Sequence, residues 1–126
     1  MADRYTIQKI DEDRRQVFGW AYVSKQHGAQ VVDHSQEVVK TEDLEPAAYT
    51  FVRESRQSND MHDGPVTGEM IESFVVTKEK SELMGFTTPV EGWWVGFQLD
   101  QQNFDLVKSG DRTAFSIEGV AEKAEV

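Results

Sequence analysis

The chain has 126 residues, the length of one domain, and its 38% hydrophobic share, with seven Phe, three Trp and three Tyr, can fill a core. It sets 13 Lys and Arg against 23 Asp and Glu, and the resulting net charge of -10 disfavours phosphate backbones, so no nucleic-acid partner is expected. It has no cysteine, which excludes disulfides, thiolate zinc sites and cysteine catalysis, and no apolar run near the ~20 residues that span a bilayer.

Met1-Ala2-Asp3-Arg4-Tyr5 lacks the apolar stretch of a secretion signal, so a cytoplasmic protein is expected. Residues 4–13 read as a first strand with Tyr5, Ile7 and Ile10 inward, and Asp11 to Arg15 as a charged connection. Val17-Phe18-Gly19-Trp20-Ala21-Tyr22-Val23 is dense in β-branched and aromatic residues and reads as a strand. Gly19 inside it suggests a bulge or a close backbone approach. A short strand at Ala29 to Val32, a polar turn at Asp33 to Glu37 and an extended piece at Val38-Val39 follow.

Thr41 is an N-cap candidate for a helix whose acidic start, Glu42, Asp43 and Glu45, suits the positive end of the dipole. Pro46 is placed near the first turn, where a missing N–H is tolerated. Leu44, Ala47, Ala48, Phe51 and Val52 recur at helical spacing as one apolar face, and the helix is expected to end near Arg56-Gln57-Ser58. Asn59-Asp60 reads as loop, and Val66 to Val76 as a strand with Val66, Gly68, Met70, Glu72 and Phe74 on one face. Lys78 to Met84 reads as a short helix closed by Gly85. Gly92 to Leu99 reads as a strand, and Gln101 to Ser109 as a helix with Phe104 and Val107 inward, ended by Gly110. Thr113 to about Ala121 reads as the last strand, before an acidic tail.

Most connections are too short for repeated right-handed crossovers, which argues against a doubly wound parallel sheet. The expected class is α+β, mostly β: a small, curved antiparallel sheet or β-barrel with two or three peripheral helices, in one domain over residues 1–126. No internal repeat, low-complexity segment or dividing linker stands out.

The candidate chemistry rests on two residues. His62, between Asp60 and Asp63-Gly64-Pro65, sits at a turn; Ser116, between Phe115 and Ile117, lies in a strand-like run. A loop histidine and a strand serine are each common surface residues. They carry chemistry only if the fold joins them, because serine needs a base and histidine titrates in the right range. His27 and His34 give no metal-ligand spacing with His62. Of Trp93-Trp94, one is expected in the core and one on the surface. No phosphate-cradling glycine loop and no G-x-S-x-G elbow is present, and neither a cofactor nor a metal is expected.

The run Val17 to Val23, the stretch Asp33 to Val39, Leu44 to Phe51, Met61-His62-Asp63-Gly64-Pro65, Gly68 to Phe74, Trp93 to Phe97 and Val107 to Gly110 leading to Phe115-Ser116-Ile117-Glu118-Gly119 form a set. In order, over roughly residues 15–123, they resemble the XkdF-like phage serine protease family, related to prohead (capsid maturation) proteases. The resemblance implies a herpesvirus assemblin-like β-barrel with helices around it. It implies Ser116 as nucleophile and His62 as base, and the scaffold and capsid proteins of the immature head as substrates and partners. It also implies the bacterial cytoplasm, within the assembling prohead, as the place of action. Gln36 stands where related sequences carry a glycine. The wider superfamily draws its third catalytic member from a strand after the serine; here Glu118, Glu122 and Asp63 are the nominal candidates.

Three readings follow: an endopeptidase working through Ser116 and His62, a non-catalytic capsid-assembly or scaffold-associated module on the same fold, and an acidic inhibitor of a host enzyme. The last is disfavoured because the acids are dispersed among basic residues. Homo-oligomerisation and cleavage preference are left open by the sequence.

Overall fold

The computed structural model describes residues 7–26, 29–30, 41–54 and 68–111. In chain order they form β1 (Ile7–Asp11), β2 (Gln16–Gln26), β3 (Ala29–Gln30), α1 (Thr41–Glu54), β4 (Gly68–Val76), α2 (Lys78–Met84), β5 (Val90–Leu99) and α3 (Gln101–Lys108). The expected class holds: α+β, with an antiparallel sheet in the order β1-β2-β5-β4, the two-residue β3 on β2, and three helices. Along that path β1 and β4 are the outer strands, so closure into a barrel lies outside the described residues.

The sheet is organised on β5. β2 runs along one side of it from Gln16↔Gln98 to Gln26↔Val90, and β4 along the other from Gly68↔Leu99 to Val76↔Gly92. The register of β2 skips Ala21 and Ser24, and that of β4 skips Ile71, while β5 skips nothing. Extra residues on both flanking strands bend them around the straight one. A further skip at Gln8 in β1 lies between Ile7↔Gly19 and Lys9↔Phe18, while β2 itself pairs with β5 without a break through Gly19, so its bulges fall at Ala21 and Ser24 and not at the glycine. Ser24, fully buried at its bulge, donates its hydroxyl to the Glu91 carbonyl at 3.2 Å, which satisfies the polar group.

Alternation along β5 separates two faces. Trp93, Val95, Phe97 and Leu99 enter the core with Val17, Met70 and Val75, covered by Leu44 and Ala48 of α1 and Phe104 and Val107 of α3. The opposite face carries Trp94 against Trp20, edge to face at 5.3 Å, and Phe18 over Gly96. One tryptophan therefore lies in the core and its neighbour is half-buried, as expected for a strand.

Four expectations need correction. Ile10 is 44% exposed rather than inward. Met70 and Phe74 do not share a face: the extra residue Ile71 shifts the alternation, so Met70 and Val75 enter the core while Glu72 and Phe74 oppose Gly96 and Trp94. In α1, Leu44 and Ala48 are buried and Phe51 and Val52 half-buried, but Ala47 falls on the rim of that face and is exposed. Pro46 is the sixth residue counted from Thr41, past the first turn, where it removes the bond to the Glu42 carbonyl.

The two later helices match their sequence signals. Thr77 caps α2 by accepting from the Lys80 amide at 3.1 Å, and Gly85 ends it at φ 88° with its N–H on the Glu82 and Ser81 carbonyls. Asp100 caps α3 by accepting from the Asn103 amide at 2.8 Å. Tyr5, the 31–39 stretch, the end of α1 beyond Glu54, Val66, and the last strand and tail over 113–126 lie outside the described residues.

Candidate functional site

Ser116 and His62 both lie outside the described residues, as do His27, His34, Asp63, Glu118 and Glu122. The described residues fix what borders them in the chain. The stretch bearing His62 joins the end of α1, at Glu54, to the start of β4, at Gly68. The stretch bearing Ser116 follows α3, whose Phe104 and Val107 are buried and whose exit passes Gly110 at φ 89°.

The two elements flanking the His62 stretch pack on each other and enclose a groove of about 670 Å³. Tyr49, Val52 and Arg53 of α1 form one wall, and the five consecutive residues Glu69–Ser73 of β4 form the other. Trp93 ties the sheet together beneath it. Its indole N–H donates to Ser73 Oγ at 2.9 Å, and its ring meets Phe51 of α1 edge to face at 5.5 Å. Ser73 thus positions Trp93; among the described residues no histidine is available to activate its hydroxyl.

A charged clamp holds α1 against α2 and β4. Lys80 Nζ donates to Glu45 Oε2 at 2.8 Å, to Tyr49 Oη at 2.7 Å and to the Val75 carbonyl at 3.1 Å. Tyr49 Oη in turn donates to Glu45 Oε2 at 2.7 Å. The ammonium also lies 5.3 Å from the Tyr49 ring centroid and 5.4 Å from that of Phe74. Hydrogen bonds from Lys80 and then Tyr49 hold the Glu45 carboxyl below its ordinary 4.5. Burial alone would lower Lys80, but its bonds with Glu45 and Tyr49 outweigh that and raise it above 10.5.

The sequence pointed to neither the Glu45–Tyr49 pair, four apart on the helix, nor Lys80, which reaches them from α2. Nor did it point to the groove, since no local pattern announces a cavity between two distant elements. Among the described residues no three His, Asp or Glu side chains gather to hold a metal ion, and no helix is long and apolar enough to cross a membrane.

Comparison with known proteins adds the following. A family model described as "Putative phage serine protease XkdF" matches residues 3–125. The uncharacterized protein YqbD of Bacillus subtilis (strain 168) is 27% identical over 121 residues, which cover 94% of this chain and 35% of that protein. The chain thus spans about a third of the length of the curated relative it matches. No solved structure matches it.

Proposed function

The chain belongs to the XkdF phage serine protease family, and from that membership we propose that it is a prohead endopeptidase working through Ser116 and His62. The observation that carries this reading is the family match over residues 3–125, which includes both side chains in the order the family resemblance requires. The described sheet, bent by extra residues on both sides of β5, suits the curved wall of a herpesvirus assemblin-like barrel.

In this reading the His62 imidazole takes the proton of Ser116 Oγ as the oxygen attacks the scissile carbonyl carbon. Backbone N–H groups hold the oxyanion of the tetrahedral intermediate. Its collapse breaks the C–N bond, and the imidazolium returns the proton to the leaving amine. Water, deprotonated by the same imidazole, then hydrolyses the acyl-enzyme. Asp63, Glu118 and Glu122 remain the candidates for a residue orienting His62. The chemistry supplies its own nucleophile and base and needs no cofactor. The substrates are the scaffold and capsid proteins of the immature head, met at high local concentration inside the assembling prohead in the bacterial cytoplasm.

Co-expression with the scaffold and capsid proteins of the same phage tests this. Processing should occur with the unsubstituted chain and be lost with Ser116→Ala and His62→Ala, because such pairs act as a unit. Full processing by Ser116→Ala would eliminate the peptidase, and capsid binding without any processing would favour an assembly module on the same fold.

A further inference from the structure

We propose that α1 carries a hinge at Pro46 and that Lys80 of α2 is the latch holding it shut, so that salt, by screening the latch, frees the first turn of the helix from the rest. The device is independent of the peptidase reading.

The hinge comes from the proline. Pro46 is the sixth residue of α1 and has no N–H to give the Glu42 carbonyl. A helix interrupted in this way bends or opens at the proline in preference to elsewhere. By helical spacing, the ladder bonds that still cross the break run from the amides of Ala47, Ala48 and Tyr49 to the carbonyls of Asp43, Leu44 and Glu45.

The latch straddles the break. Glu45 stands directly before Pro46 and Tyr49 three residues after it, as neighbours on one helix face. Tyr49 Oη donates to Glu45 Oε2 at 2.7 Å, across the break. Lys80 Nζ donates to the same carboxylate at 2.8 Å, to Tyr49 Oη at 2.7 Å and to the Val75 carbonyl at 3.1 Å. One ammonium therefore ties the turn before the proline to the turn after it, and both to the end of β4. The rings of Tyr49 and Phe74, 5.3 and 5.4 Å away, hold it in place.

The two sides of the hinge are anchored unequally. After Pro46, Ala48 is buried, Phe51 and Val52 pack on the core, and Phe51 meets Trp93 edge to face at 5.5 Å. Before it, Leu44 is buried but Glu42 and Asp43 are exposed. Withdrawing the ammonium leaves the first turn on Leu44 and an interrupted ladder, so α1 gives way before the proline and not after it. The side chains of Lys80 and Glu45 are 28% and 29% exposed, within reach of the ions that screen them.

The test is amide hydrogen exchange of the full chain, read by NMR as the rates of residues 47–49, whose bonds cross the hinge, against residues 51–53, whose bonds do not. Lys80→Met should speed residues 47–49 about three- to tenfold and residues 51–53 less than about twofold. Raising NaCl from about 0.05 to 0.5 M should speed residues 47–49 about twofold in the unsubstituted chain and leave them unchanged in Lys80→Met. Pro46→Ala, which restores the missing bond, should shrink the effect of Lys80→Met to less than about twofold. Lys108→Met, which removes the exposed pair with Glu12 at 3.6 Å, is the control and should alter neither group. The proposal is overturned if the two groups of amides speed up together, if neither responds to Lys80→Met, if salt acts equally with and without the ammonium, if Pro46→Ala leaves the effect of Lys80→Met intact, or if Lys108→Met reproduces it.

Discussion

Replacing Gly92 with alanine should be the costliest single-methyl addition among three glycines of the described fold. Gly92 opposes Val23, between the extra residues Ala21 and Ser24 of β2. A Cβ there would press on the Tyr22 carbonyl oxygen and stand 2.8 Å from Val23 Cα. Both are backbone atoms, so only separation of β2 from β5 relieves the contact. Overpacking of this kind costs about 1–3 kcal/mol, and opening a ladder bond adds about 1 kcal/mol, giving roughly 3 kcal/mol. At Gly96 the Cβ would meet Phe18 ring carbons at 2.6 and 2.7 Å, and a ring can swing aside, so about 1–2 kcal/mol is expected. At Gly85 nothing lies within 4 Å, and only the φ of 88° penalises a side chain, by about 1 kcal/mol. Urea unfolding followed by tryptophan fluorescence reads all three against a total stability of about 5–15 kcal/mol. Gly92→Ala within about 0.5 kcal/mol of the parent, or less damaging than Gly85→Ala, would refute the reasoning.

Lys80→Met keeps the stem and removes the ammonium that bonds Glu45, Tyr49 and Val75; with the ion-pair side chains 28% and 29% exposed, the loss should be about 1 kcal/mol at neutral pH by urea midpoint. Glu45, whose pKa is lowered on folding, contributes fully above 4.5 and loses its contribution as pH falls through its folded value; Lys80, raised, contributes fully below 10.5 and loses it as pH rises through its own. The gap between parent and Lys80→Met should therefore narrow at both ends, and a gap constant across pH would contradict the clamp. Arg15 adopts φ 56° while its carbonyl accepts from the Leu99 amide at 2.9 Å, so Arg15→Gly should stabilise by about 0.5–1 kcal/mol and Arg15→Val should destabilise, both read as shifts in thermal midpoint.

Legibility in the sequence followed the range of the interactions. α2 and α3 could be read nearly to the residue because the glycines that follow them, Gly85 and Gly110, act within a turn of the helix they close, while the N-caps Thr77 and Asp100 emerged only from the structure. β2 and β5 were legible from aromatic and β-branched density. The faces of β4 were not, because the shift at Ile71 comes from its pairing with Phe97 and Gly96 on another strand. Ala47 shows the same limit: apolar spacing marks a face, but its edge is set by what packs there. The groove and the Lys80 clamp depend wholly on distant elements. Ser116 and His62 were singled out only through the ordered set of motifs around them, since neither residue carries a local signature of catalysis, and both lie outside the described residues.

The most direct measurement of the central claim is covalent labelling. The full chain is incubated with a serine-reactive phosphonate and its intact mass recorded beside Ser116→Ala and His62→Ala. The account predicts one adduct on the unsubstituted chain, none on Ser116→Ala, and far slower labelling of His62→Ala. An unlabelled chain, or an equal adduct on Ser116→Ala, would contradict it.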